Sequence, residues 1–257
     1  MKIFVCVKQV PDTETKLKLA AGGASVDFTG VKWVLNPYDE FAVEEALKLK
    51  ATKPEAIVTA ISVGPKARVS ESLRTALAMG ADEAIVVDGP ENLDSYATAK
   101  VLAAALKAEG FDLVFSGKGA IDDNQMAVTQ MVAELLGVPH ANVVSKFEFK
   151  GTTVFVEREA DGGTHEKLEL RLPAIVGANK GLNTPRYASL PGIMKAKKKT
   201  IKELSWDGLG VSASDVKTSF AAYVLPPERP SCKMLTGDPG AQAQALAQLL
   251  RTEAKVI

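Results

Sequence analysis

Only two cysteines occur, Cys6 and Cys232, far apart and outside any CxxC pattern, so neither a disulfide framework nor a dithiol redox centre is implied. Histidine is as scarce. His140 and His165 have no ligand spacing between them or with the cysteines, which argues against a metal or redox centre built from protein groups alone. Net charge is lacking too: Lys plus Arg and Asp plus Glu stand at 31 each, so no bulk charge draws the chain to nucleic acid or to an anionic membrane. No apolar run reaches the roughly 18 residues that span a bilayer, so membrane insertion is not expected. The opening residues, MKIFVCVK, acquire charge too early for a secretory apolar segment and read as a strand, which points to a cytoplasmic protein. GxGxxG, GxxxxGK(S/T) and SGGxDS-like loops are missing, so dinucleotide binding and P-loop hydrolysis lose their usual support. An enzyme hydrolysing adenylates would need a nucleophile, base or metal cluster, and none is recognisable.

What the 257 residues do contain is alternation. Residues 2–8 suit a buried strand, and Leu17, Leu19, Val26 and Phe28 around Gly22-Gly23 suit a small hairpin excursion. Asn36-Pro37 opens a helix with Phe41, Ala42, Ala46 and Leu47 on its apolar face. Strand 56–63, helix 70–79 stopped by Gly80, strand 83–87, helix 95–108, strand 113–116 and a helix near 126–136 follow. Continuously apolar strands alternating with helices predict an α/β fold: a doubly wound, mostly parallel sheet with helices on both faces. From about residue 142 adjacent strands, with turns at Lys150-Gly151 and Asp161-Gly162, predict an antiparallel extension. Pro185 and Pro191 predict a defined loop in place of a continuous element before the lysine-rich run. Past Thr200 periodicity is lost until a helix after Asp238-Pro239-Gly240. The expected organisation is an α/β nucleotide-binding domain over 1–200, with hairpin and docking loop, and a C-terminal arm with a terminal helix over 201–257. That arm either wraps on its own surface or lies on another subunit.

Ligands of open parallel sheets bind beyond the carboxyl ends of the strands. Asn36–Asp39, Ser62–Pro65 and Gly117–Gln125 meet that description. The last runs from a strand into a helix, so its amides can meet an anion such as a nucleotide phosphate; glycines after a strand can equally be a tight turn and nothing more. Lys195, Lys197, Lys198 and Lys199 form either a solvated face or the cationic part of a docking surface beside apolar Leu190. A nucleic-acid patch would want aromatic or glycine interleaving, which is lacking. Arg158 and Glu159 can be exposed strand positions before a turn, and Tyr38 a helix-start aromatic packed on the core.

The runs VEREADGG, LPAIV and NTPRYASLPGIMKAKKK resemble the signature region of the electron-transfer flavoprotein β subunit. MKIFVCVKQVPD, NPYDEFAVEEAL, RTALAMGAD and GKGAIDD fit that family in the same order, so the resemblance covers nearly the whole chain. It implies one half of a heterodimeric electron carrier and not an enzyme. FAD would be held mainly by an α subunit, with this chain covering one side of the ring. Electrons would come from acyl-CoA dehydrogenase-type flavoenzymes, as in fatty acid oxidation, and pass to a quinone oxidoreductase. The resemblance further implies AMP as a structural ligand at Cys6, Asn36, Pro37, Tyr38, Asp39 and Val63 and along Gly117, Lys118, Gly119, Ala120, Ile121, Asp122, Asp123, Asn124, Gln125, Met126, Ala127 and Val128. Tyr38 would also approach the flavin ring. Partner docking is implied at Leu190, its loop residues Tyr187, Pro191, Ile193 and Met194, and Glu159, and the terminal arm would pack on the α subunit.

Three departures accompany the likeness. Met126-Ala127-Val128-Thr129 stands where many relatives carry Asn-Gln-Thr-Gly before the helix. Asp122-Asp123-Asn124-Gln125 stands where the bifurcating branch, which binds a second FAD in this cleft, resembles Asp-Gly-Asp-Thr, so AMP is favoured over a second flavin. Gly177 replaces a more usual small polar residue or Ala. The alternatives are a bifurcating β subunit and, from another class, a stand-alone universal-stress-like module sensing AMP or ATP. A simple nucleotide module has no need of the hairpin, the Leu190 loop or the arm.

Overall fold

The computed structural model describes residues 1–229 and 231–257. It divides into two compact units, Met1–Lys18 with Asp27–Ala221, and Leu19–Val26 with Ala222–Ile257. In chain order the elements are β1 Lys2–Cys6, β2 Gln9–Pro11, β3 Lys18–Leu19, β4 Val26–Asp27, β5 Trp33–Leu35, α1 Pro37–Thr52, β6 Ile57–Gly64, α2 Lys66–Met79, β7 Glu83–Asp88, α3 Ser95–Glu109, β8 Leu113–Gly117 and α4 Val128–Leu136. Then come β9 His140–Lys150, β10 Thr153–Glu159, β11 His165–Arg171, β12 Ala174–Ala178, α5 Leu190–Lys198, β13 Lys202–Ser205 and α6 Pro239–Leu249.

The expected α/β architecture is observed. Nine strands form one sheet in the order β11-β10-β9-β12-β8-β1-β6-β7-β13. From β9 through β13 every neighbouring pair is parallel, and β10 and β11 continue the sheet as an antiparallel meander. Strand residues alternate between two cores, because successive side chains point to opposite faces. Ile3, Val5, Val58 and Phe115 pack with Ala42, Val43 and Ala46 of α1 and Leu73 of α2. Phe4, Ile61, Ile85 and Val114 pack with Val101 and Leu106 of α3 and Val132 of α4. Both sheet faces are thus covered by helices, which is why the strands carry uninterrupted apolar runs.

β1 lies between β6 and β8. The chain winds outward from β1 through β6 and β7, then crosses back to β8, so the carboxyl ends of β1, β6 and β8 diverge around one crevice.

Three local expectations are corrected. The segment after Pro185 does not stay a loop: Leu190–Lys198 is helical, with the Ser189 side chain accepting from the Gly192 amide and Pro191 in the first turn. Proline is tolerated there because that amide has no intrahelical partner. Beyond Thr200 regular structure continues, since β13 adds a parallel edge strand to β7 in register Lys202↔Ile85 to Ser205↔Asp88. The helix expected over 70–79 begins earlier, at Lys66, directly after Pro65.

In the second unit, the Tyr223 amide donates to the Gly23 carbonyl at 2.9 Å. α6 is capped by Asp238, whose carboxylate accepts from the Ala241 amide, and Val224, Met234, Leu246, Val256 and Ile257 are exposed apolar side chains.

Candidate functional site

The crevice is assembled by Asn36 and Asp39 at the start of α1. Asn36 was expected to cap the helix, yet its side chain makes no cap bond. It reaches across the crevice: Nδ2 donates to the Asp39 carboxylate at 2.9 Å and to the Gly119 carbonyl at 3.0 Å, and Oδ1 accepts from the Ile121 amide at 3.3 Å. Asp39 accepts from the Lys8 amide at 2.6 Å beyond β1 and from the Gly117 amide at 3.0 Å at the end of β8. Two buried side chains thereby bind the ends of β1, α1 and β8 and the following loop into one frame. Burial pushes the Asp39 carboxyl up to about 7, against the three donors from Lys8, Asn36 and Gly117 that favour its charge.

The loop from Gly117 to Ala127 lies against this frame, and its glycines are required by proximity. A Cβ on Gly117 would meet the Asp39 Oδ1 at 2.4 Å and the Tyr38 backbone at 2.8 Å; one on Gly119 would meet the Met126 side chain at 2.6 Å. Asn124 and Met126 both adopt φ of 51°, a strained region for residues other than glycine. Lys8 Nζ reaches Asp122 at 2.8 Å and Asp123 at 2.9 Å, fastening the loop to the end of β1. Burial lowers the Lys8 pKa, but Asp122 and Asp123 outweigh it and the net shift is upward. Gln125 is hydrogen-bonded to Ser95 at the start of α3.

The donors that α4 offers at this end of the crevice are backbone amides. α4 has no side-chain cap at Ala127 and no acidic residue in its first turn, leaving its leading amides without intrahelical partners. Thr129 does not help, since its hydroxyl is buried 2.8 Å from the Ser116 Oγ. The departure from Asn-Gln-Thr-Gly therefore leaves this end of the crevice to main-chain recognition. Such a donor set fits a phosphate, with glycines close enough for a nucleotide to approach the backbone. Cys6 lies below, beside Ser116, Val128 and Thr129. Burial, then the Asp39 charge, pushes its thiol up to about 12, so it acts as a small apolar wall and not as a thiolate. Val63 is the last residue but one of the neighbouring strand β6, and Lys118 Nζ stands 4.9 Å from the Tyr38 ring centroid.

All the residues expected at the nucleotide site, from Cys6 to Val128, thus lie on the three strand ends, at the start of α1 and its preceding residue, on the loop after β8 and at the first residue of α4. The residues expected to dock a partner lie elsewhere. Tyr187 is 98% exposed, Leu190 72% and Met194 59%, while Ile193 and Pro191 are also exposed on α5. Glu159, at the end of β10, accepts from Asn179 at 2.9 Å. Lys195, Lys197 and Lys198 occupy the last turn of α5, where positive charge complements the helix dipole. Lys199 is not a solvated lysine, because its Nζ donates to the Ala81 and Asp82 carbonyls.

Lys8, Asn142 and Gly177 also shape the site, and the sequence offered little to find them by. Asn142 is buried and donates to the Lys118 carbonyl at 3.0 Å. Its amide oxygen occupies the space a Cβ on Gly177 would need, only 1.9 Å away. Glycine at 177 is therefore a fitted partner of Asn142 across β9 and β12.

The fold defines an α/β protein with a crevice at the topological switch point of a parallel sheet, where such folds place their ligands. The chain matches the family described as Electron transfer flavoprotein domain over residues 24–208. It is 42% identical over 262 residues to the Electron transfer flavoprotein subunit beta of Bacillus subtilis (strain 168), covering 100% of both chains. Identity to the protein of that name from Syntrophomonas wolfei is 37% over 256 residues, covering 100% of this chain and 98% of the relative. For that of Mus musculus it is 44% over 233 residues, covering 89% and 90%. The chain belongs to the electron transfer flavoprotein family, in agreement with the resemblance carried by its motifs. It is thus an electron-transfer protein of the kind whose relatives are named as beta subunits.

Proposed function

We propose that this chain is the β half of a heterodimeric, FAD-containing electron carrier. It takes electrons from acyl-CoA dehydrogenase-type flavoenzymes and delivers them to a quinone oxidoreductase in the cytoplasm. Bound FAD supplies the redox chemistry when present. The chain's own residues cover one side of it and orient it: Tyr38 offers an aromatic face, backed by the Lys118 ammonium. The crevice holds AMP as a structural ligand, with the amides of the Gly117–Ala127 loop and the first turn of α4 around its phosphate and the apolar wall of Cys6 and Val128 beneath. The exposed apolar side chains of residues 222–257 are taken as the part of the C-terminal arm that lies on the α subunit.

The observation that carries the reading is the set of apolar side chains held in water at Leu190 and Met194 on a short, capped helix and at Tyr187 just before its cap. Large exposed hydrophobics on a fixed element mark a partner surface. Leu190 is the docking anchor, with Tyr187, Pro191, Ile193 and Met194 around it and Glu159 as a polar contributor. In the assembled carrier, Leu190→Ala is expected to slow electron transfer from the dehydrogenase about tenfold or more, with flavin content, extractable AMP and subunit pairing unchanged. Unaltered transfer rates would remove the anchor, and FAD in place of AMP among the extracted nucleotides would favour the bifurcating alternative.

A further inference from the structure

Two glutamates of α1 are buried without serving the nucleotide crevice. Glu44 is 6% exposed and Glu45 4%, and carboxylates are seldom buried to this degree unless paired. Glu45 pairs with Lys48 one turn along the same helix at 3.0 Å; the partners from outside α1 come from one short segment, 183–186, immediately before the exposed Tyr187. Glu44 Oε2 accepts from the Arg186 amide at 3.1 Å and from its Nε at 2.7 Å, while Oε1 accepts from the guanidinium's second arm at 2.9 Å. Glu45 accepts from Asn183 Nδ2 at 2.8 Å, and the same amide group donates to the Phe41 carbonyl at 2.9 Å. Burial raises the Glu44 pKa, but the Arg186 contacts outweigh it, and the carboxyl ends below its ordinary value.

The other side of the exposed group is held by a different helix. The Arg74 guanidinium of α2 donates to the Ala196 and Lys199 carbonyls, and Ala196 is buried in the core. Gly192 comes so close to α2 that a Cβ there would lie 2.5 Å from the Ala78 carbonyl oxygen. Tyr187 and Leu190 thus project from a span fixed at both ends, and the upstream end is fixed by a two-armed ion pair with a main-chain bond added.

We propose that Glu44 and Arg186 are positioning residues for partner docking: their pair holds the 187–190 span in the orientation that presents Leu190 to a dehydrogenase. This rests on the docking reading above. A bidentate guanidinium–carboxylate pair fixes direction as well as distance, which an ammonium cannot do. A side chain presented in one orientation binds without the ordering cost of a free one.

The test uses the whole heterodimer and resolves transfer from an acyl-CoA dehydrogenase-type flavoenzyme into kcat and the KM for the carrier. Glu44→Gln, Arg186→Gln and the double variant are compared with Leu190→Ala, with Arg186→Lys as the milder change should loss of the guanidinium prevent folding. Each single variant is expected to raise KM about fivefold or more, the double variant no further than the worse single one. Arg186→Lys should fall between. Turnover at saturation and flavin content should stay at wild-type values and the thermal midpoint fall only by the contribution of the lost pair, while amide exchange over 187–194 quickens. If Leu190→Ala raises KM and the Glu44 and Arg186 variants do not, the positioning role is overturned and the docking reading stands. If Leu190→Ala leaves KM unchanged, both fall. A KM rise that tracks loss of thermal midpoint and flavin would make the pair a general stabiliser and also overturn the proposal.

Discussion

Asp39 receives donors from β1, from the start of α1 and from the end of β8 on one buried carboxylate. Its folded pKa is raised from 3.8 to about 7, so the folded chain binds this proton more tightly than the unfolded chain. The stability it contributes is complete below 3.8 and is lost as pH rises through about 7. Asp39→Asn removes that titration and also turns an amide donor toward the Lys8 or Gly117 amide. The variant should be less stable at low pH, and its deficit against wild type should shrink as pH rises towards 7 and then level off. Denaturant midpoints taken across that range check this, and a deficit constant with pH would contradict it. Glu44 has the opposite sign: its lowered pKa contributes stability present above the ordinary 4.5 and lost as pH falls.

The same residues show how far single positions could be read. Asn36 and Asp39 are legible as site residues, but from sequence Asn36 reads as a helix cap, because an Asn before Pro at a helix start has that local meaning. Its long-range bonds to Gly119 and Ile121 depend on the loop after β8 lying opposite, which no local rule conveys. Gly177 looked like a minor departure for a similar reason. Its need for glycine comes from Asn142, a neighbour only once β9 pairs with β12.

At the scale of elements, strand and helix alternation was legible from one end of the sheet almost to the other, because buried parallel strands are apolar on both faces and leave an unmistakable period. α5 was missed. Two prolines spaced six residues apart suggested a loop, although Pro191 sits in the first turn, where a helix requires no amide from it. β13 escaped notice because an edge strand of four residues, KELS, is too short and too polar to show alternation. The Ser189 cap gives α5 its start, so Ser189→Ala should cost about 1 kcal/mol of local helix stability. Hydrogen exchange over 190–194 should quicken while exchange in β1 and β8 stays as it was; uniform protection throughout would mean the cap is dispensable.

Taken whole, the molecule offers a crevice and an exposed apolar helix, α5, with α1 touching the crevice and the segment that leads into α5. The first turn of α1 carries Tyr38 and Asp39, and two turns on, Glu44 and Glu45 hold the segment leading to Leu190. Family membership makes this an electron-transfer protein, and the proposed division of labour gives the flavin mainly to another subunit. The measurement that bears most directly on that division is a visible absorption spectrum of the chain purified alone and mixed with FAD, then again after adding the α subunit. Alone, the chain should emerge from gel filtration colourless and without flavin; with the α subunit, one FAD should co-elute with the heterodimer. A chain that retains flavin by itself, or an α subunit whose flavin content is indifferent to it, would contradict the account.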